Sequence, residues 1–159
     1  MTNTRLPIVS GLLSFNGGFV DVACFFGLQG LLAAHVTGNL ATLCASIALG
    51  YAGFLSKIAA VPEFMLVVAL TQAGGRMLNA RGRPAARILL GVEVVLLALF
   101  LALAAYFGPF GDPDSLAAML TAFAAIAAMA MQNGVQRAYL PQIPPTTFMT
   151  GLPYFSVPS

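Results

Sequence analysis

Residues 88–107 read ILLGVEVVLLALFLALAAYF, a run in which Glu93 is the one charged side chain. About 20 mostly apolar residues are enough for a helix to cross the hydrocarbon core of a bilayer. The run follows a basic stretch and stops at Gly108-Pro109, which opens a turn over residues 108–115. It therefore predicts a membrane-spanning helix over 88–107.

The composition of the whole chain agrees with that stretch. Of 159 residues, 59% are hydrophobic and 8% are charged, and the mean hydropathy is +0.90. A soluble domain is normally about 25% charged, so this chain has too few charges to cover a surface that faces water. We expect one all-α membrane domain with room for five or six spans, and not a soluble enzyme. The net charge of +2 gives no reason to expect nucleic acid as a partner.

Further apolar runs predict four more full spans and one incomplete span, over about 8–32, 36–54, 60–76, 115–138 and 146–157. The first break falls at residues 34–39, where Gly38 and Asn39 tolerate turn geometry. Pro62 fits the first turn of the third span, and Asp114 or Ser115 is suited to cap the fifth. The run that starts at Pro7 is too long for a signal-peptide core, so we expect it to stay as a membrane anchor.

Arginines indicate the orientation of a multi-pass chain. The stretch 76–87 is the convincing hydrophilic loop, and four arginines lie in it: Arg76, Arg81, Arg83 and Arg87. Because positive charge is enriched in cytoplasmic loops, we expect this loop in the cytoplasm. Counting back three spans places the N-terminus outside, which leaves Arg5 as one positive charge on the unfavoured side.

Two segments of the chain look alike. His35-Val-Thr-Gly-Asn and Thr147-Phe-Met-Thr-Gly both carry Thr-Gly at the start of an apolar run, and a helix with Asn, Gly and one charge precedes each. That charge is Asp21 in the first copy and Arg137 in the second. Four predicted spans separate the copies, and an even number gives both the same orientation, so we expect parallel repeats.

The same residues resemble the YoaK-like family, bacterial inner-membrane proteins grouped as a domain of unknown function. The resemblance is carried by GFVDV at 18–22, AHVTGN at 34–39, AMQNG at 130–134 with Arg137, and TTFMTG at 146–151. It implies a polytopic helical bundle of two parallel three-helix repeats joined by a linker helix. It implies no activity.

Members of that family usually continue beyond the second Thr-Gly with more spans. The resemblance therefore implies that this chain is truncated at its C-terminus. On this interpretation residues 1–76 form the first repeat, residues 77–111 the basic loop and linker helix, and residues 112–159 an incomplete second repeat, all within one membrane domain.

Asp21 is the charged residue that the bilayer constrains most. An ionised carboxylate that faces lipid near the middle of a span costs about 2.5–3.5 kcal/mol or more, so Asp21 should face the bundle interior. It is either a proton or substrate site or a structural partner of an arginine. Arg137, at the matching place in the second copy, either pairs with Asp21 or extends to the headgroups.

The remaining candidates are polar residues near the two breaks. His35 is the single histidine; it either titrates near neutral pH or bonds a helix end. The others either line a broken-helix site or make interhelical hydrogen bonds, and they are Thr37, Gly38, Asn39, Asn133, Thr150 and Gly151. Glu93 either reaches the cytoplasmic interface or joins Asp21. Cys24 and Cys44 fit best as small buried hydrophobes, and we expect no metal and no cofactor.

These expectations favour a transporter or channel for a small polar solute in the bacterial inner membrane. A non-catalytic scaffold or assembly partner is the alternative. A membrane enzyme that uses Asp21 and His35 as an acid–base pair is least favoured, because the sequence supplies no nucleophile, metal or phosphate cradle. The lipid bilayer is the expected partner, and assembly into a homo-oligomer stays open.

Overall fold

A computed structural model describes residues 5–50 and 53–142, and it contains five α-helices and no strand in that part of the chain. The helices are α1 (Arg5–Gly27), α2 (Val36–Leu49), α3 (Phe54–Ala80), α4 (Ala85–Phe107) and α5 (Leu116–Tyr139). The predicted all-α fold is confirmed. The predicted incomplete span 146–157, with Thr150 and Gly151, lies outside the described residues.

Four of these helices are long and apolar enough to cross a membrane, namely α1, α3, α4 and α5. The chain is therefore a multi-pass membrane protein. The exception is α2, whose 14 residues extend about 21 Å against a hydrocarbon core of about 30 Å. The prediction of a second full span over 36–54 is wrong, because the apolar run is divided between a short helix and the start of α3.

The centre of the bundle is α5, which packs against α1, α3 and α4. Small residues make the close approach possible. A Cβ atom added to Gly134 would lie 2.9 Å from Thr71 Cγ2, so α3 and α5 meet at a distance that only glycine permits. Alanines fill much of the rest of the buried face of α5, as at Ala118, Ala122, Ala125 and Ala128.

The first and last helices run in opposite directions. Asn16 Nδ2 donates to Gln132 Oε1 at 2.8 Å, and Gln29 Nε2, just beyond α1, donates to the Gly111 carbonyl at 3.2 Å, just before α5. Rising positions in α1 thus meet falling positions in α5. The predicted parallel relation between α1 and α5, the helices that precede the two similar segments, is wrong.

Contacts between loops define two ends of the bundle. We call the end with loop 81–84 the arginine end and the end with residues 108–115 the turn end. Asn79 Nδ2 donates to Tyr139 Oη at 3.1 Å at the arginine end, and a Cβ on Gly53 would lie 3.4 Å from Pro113 Cγ at the turn end.

Because α1 is antiparallel to α5, its first residue, Arg5, lies at the arginine end. The N-terminal end of α1 and the arginine loop therefore share one side, and the prediction of opposite sides is wrong. The prediction counts residues 36–54 as a helix that crosses the membrane, whereas α2 does not cross it. The agreement with the positive-inside rule is better than predicted, because Arg5 lies at the same end of the bundle as the arginine loop.

The observed helix ends differ from the predicted ones mainly at α3. This helix begins at Phe54 and ends at Ala80, so Pro62 lies in its interior instead of its first turn. Spanning helices tolerate such a proline because neighbouring helices satisfy the freed backbone groups. The start of α5 follows the prediction, since Ser115 is its N-cap and its Oγ accepts the Ala118 N–H at 3.3 Å.

Candidate functional site

Residues 28–35 are the non-helical chain between α1 and α2. Asp21 lies six residues before the end of α1, about 9 Å along its axis. Its Oδ1 accepts the Ala34 N–H at 2.6 Å, and its Oδ2 bonds His35 Nδ1. The chain therefore turns back into the bundle after α1, and α2 starts beside Asp21.

The far end of α2 returns to the turn end. Lys57 Nζ in the first turns of α3 donates to Ser46 Oγ at 2.8 Å, and Ser56 N–H bonds Asp114 Oδ1 at 3.1 Å. Since α3 begins at the turn end, α2 also finishes near that end. Residues 28–49, which we call the re-entrant segment, enter and leave the bundle on one side.

Asn39 fixes the backbone of the re-entrant segment. Its Oδ1 accepts the Leu32 N–H at 2.8 Å and its Nδ2 donates to the Leu32 carbonyl at 2.7 Å. The Asn39 side chain is fully buried. Within a bilayer, non-helical backbone groups need hydrogen-bond partners from protein or water. Asn39 supplies the partner for both the N–H and the carbonyl of Leu32.

The other predicted residues of this segment divide by exposure. Asp21 is buried, as the lipid argument required, whereas the His35 side chain is 41% exposed. Gly38 packs against Leu32, because an added Cβ would lie 2.5 Å from its Cδ1. Thr37 is exposed. Asp21, His35 and Asn39 form the candidate site, and Thr37 stands outside it.

The predicted ion pair between Asp21 and Arg137 is wrong. Arg137 is exposed near the arginine end, where it borders a groove with Arg76 and the buried Asn133. Antiparallel packing places Asp21 near the other end of the bundle. The side chain that Asp21 bonds is that of His35.

A second polar cluster joins three helices nearer the arginine end. Asn16 Nδ2 of α1 donates to Gln132 Oε1 of α5 at 2.8 Å and to Glu93 Oε1 of α4 at 3.4 Å. Gln132 Nε2 donates in turn to the Leu13 carbonyl at 3.0 Å. Glu93 is buried and belongs to this cluster, whereas Asp21 bonds Ala34 and His35.

Sequence reasoning missed two charged residues of α3. Lys57 is 2% exposed, and Glu63 Oε2 is buried with no hydrogen-bond partner among the described residues. Each is a lone charge in an apolar run, which is the signal that singled out Asp21. The predicted start of the third span near residue 60 placed Lys57 before the span and Glu63 in its first turn, whereas α3 begins at Phe54 and holds both within it.

Strong metal ligands are scattered in the described part of the chain, where no group of three or more His, Cys, Asp or Glu residues is placed to hold a metal ion. Cys24 is buried and Cys44 is exposed, and both are free thiols. The expectation of burial therefore holds for Cys24 and is wrong for Cys44, which lies on an outer face of the short helix α2.

Comparison with known proteins gives a family without an activity. The family model described as "Protein of unknown function (DUF1275)" matches residues 9–154. No curated protein and no solved structure matches the chain. YoaK-like proteins are members of the matched family, so the resemblance drawn from the Asp21 and Thr37-Gly38 motifs is confirmed. The chain belongs to the DUF1275 family of proteins of unknown function.

Proposed function

We propose that this protein is a transporter for a small polar solute in the bacterial inner membrane, with the arginine end in the cytoplasm. The observation that carries the proposal is the re-entrant segment, in which buried non-helical chain at Leu31, Ala33 and Ala34 lies beside Asp21 and the short helix α2 packs on α3. Non-helical backbone at membrane depth occurs where it is buried in protein or lines a water-filled cavity. Transporters place their solute sites at such interruptions.

The bonds of the segment support a binding role over a purely structural one. Asn39 alone satisfies Leu32, yet the chain also places a hydrogen-bonded pair of titratable side chains, Asp21 with His35, beside the start of α2. Charged groups within membrane segments are costly and mark solute or ion paths. His35 is the exposed member of the pair, so it is the one that meets a solute first, with Asp21 behind it.

Osmotic swelling of vesicles tests this function without knowledge of the natural solute. The purified protein is reconstituted in liposomes, which are mixed with iso-osmotic glycerol, urea or ammonium acetate. We expect at least one solute to swell these vesicles faster than protein-free vesicles. Asp21→Asn should return the rate to that of protein-free vesicles, because it removes the charge that pairs with His35.

Asp112→Asn is the matched control, since Asp112 is an exposed acid in the turn and asparagine keeps its oxygen for the Asp114 N–H. This variant should swell like the unchanged protein. If no solute enters faster through folded protein, or if Asp21→Asn is as active as the control, the transporter proposal is wrong. A scaffold without transport activity is then favoured. We propose no catalytic reaction for the Asp21 and His35 pair.

A further inference from the structure

A cavity of about 420 Å³ lies at the turn end, between the end of α1, the helix α2 and the first turns of α3. Lys57 lines it from α3, Thr42 and Ser46 line it from α2, and Phe25 with Gly30 closes the α1 side. The re-entrant segment therefore supplies most of the lining of the cavity.

The ammonium of Lys57 is buried in the wall of that cavity. The residue is 2% exposed and its partner Ser46 is 3% exposed. Ser46 Oγ donates its own hydrogen to the Thr42 carbonyl at 2.9 Å, so it accepts from Lys57 Nζ at 2.8 Å. One hydrogen bond to a neutral hydroxyl offsets a small part of the cost of burying a charge in a membrane protein.

No carboxylate among the described residues forms an ion pair with Lys57, since none has an oxygen within 4.0 Å of Nζ. The carboxylate of Asp114 is close enough to attract the Lys57 ammonium, and its Oδ1 accepts the Ser56 N–H at 3.1 Å. The ammonium of Lys57 is therefore held by its hydrogen bond to Ser46, and no described acid lines the cavity as its counter-ion.

Two glycines bring backbone close to the ammonium of Lys57. A Cβ atom on Gly53 would lie 3.5 Å from Lys57 Nζ, and one on Gly30 would lie 3.8 Å from it. Both glycines have φ near +90°, a backbone conformation that other residues rarely adopt. The chain turns that build the cavity thus also exclude side chains from the surroundings of the charge.

From this geometry we propose that the cavity binds a small carboxylate anion, with the carboxylate on Lys57 and its short apolar part against Phe25. The ammonium supplies charge-assisted hydrogen bonds, and the Thr42 hydroxyl lies on the same wall. The site deepens the proposed transport function by giving the class of solute. Its role as the first binding site for a solute that enters from the turn end rests on that proposed function. Binding itself is measurable without transport.

Thermal unfolding in nanodiscs of phosphatidylcholine tests the site with propionate as the probe and propionamide as its neutral counterpart, at constant ionic strength. A ligand that binds the folded state raises the apparent Tm, because it stabilises that state by RT ln(1 + L/Kd), which grows with the ligand concentration L. We expect propionate to raise the Tm with increasing concentration and propionamide to leave it unchanged. Lys57→Met should weaken propionate binding by about 10-fold or more, the loss expected for a charge-assisted hydrogen bond.

Two further variants keep the test decisive. Arg76→Met removes an exposed charge at the other end and should bind propionate like the unchanged protein. Thr42→Glu places a carboxylate in the same cavity, so it should abolish the propionate effect while Lys57 remains, even if Lys57→Met does not fold.

Equal effects of propionate and propionamide, or full binding by Thr42→Glu, would overturn the proposal. So would a Tm that rises only when phosphatidylglycerol replaces phosphatidylcholine, because a lipid headgroup would then be the occupant. Anion binding without vesicle swelling would leave this site standing and reject transport, so the two failures are distinguishable.

Discussion

Two regions of this bundle hold the chain together by different means. In the re-entrant segment, side chains bond backbone: Asn39 takes both polar groups of Leu32, and Asp21 takes the N–H of Ala34. In the α3–α5 interface, contact depends on side-chain size, as where Gly134 meets Thr71. The comparison shows where each kind of substitution should matter: loss of polar atoms in the first region, and gain of volume in the second.

The largest effect is expected from Asn39→Leu. It leaves the N–H and the carbonyl of Leu32 without their partners, and each unsatisfied buried group costs about 1–3 kcal/mol. We therefore expect destabilisation of about 2–6 kcal/mol, measured as a lower Tm or less folded protein in the membrane. Thr37→Val, at an exposed position in the same turn, should change stability little. Similar losses for both variants would show that Asn39 has no special role.

Adding one methyl group to the α3–α5 interface should have the next largest effect. Gly134→Ala places a Cβ 2.9 Å from Thr71 Cγ2, and overpacking of this kind costs about 1–3 kcal/mol. Gly91→Ala in α4 is the matched change, with no atom within 4 Å of its added Cβ. It should be neutral or stabilising by up to about 1 kcal/mol. The packing argument fails if unfolding measurements give both variants the same stability.

The smallest effect is expected where polar side chains bond each other between continuous helices. Asn16→Leu breaks the contacts with Gln132 and Glu93, which join side chains and involve no backbone group. Interhelical bonds of this type contribute about 0.6 kcal/mol on average and up to about 1.7 kcal/mol. A double-mutant cycle of Asn16→Leu with Gln132→Leu should give a coupling in that range. A loss as large as that of Asn39→Leu would remove the distinction between the two regions.

Predictions from the sequence succeeded where a residue's own chemistry decides its place. Asp21 had to turn away from lipid because its charge is costly there, and it is buried. Ser115 had the side chain and the position to cap α5, and it does. The partner of Asp21 was predicted wrongly, because choosing Arg137 required α1 and α5 to be parallel, and that choice depended on counting α2 as a crossing.

The sequence by itself determined that this chain belongs in a lipid bilayer, that it is helical and which family it belongs to. Those follow from apolar runs, few charges and motifs that are local in the chain. Only the tertiary structure decided that residues 28–49 enter and leave on one side, that α1 opposes α5, and that Lys57 lines a cavity. The physical reason is that hydropathy shows which segments can lie in the hydrocarbon core of the bilayer. The direction in which each segment runs is set by contacts between distant residues, such as Gln29 with Gly111.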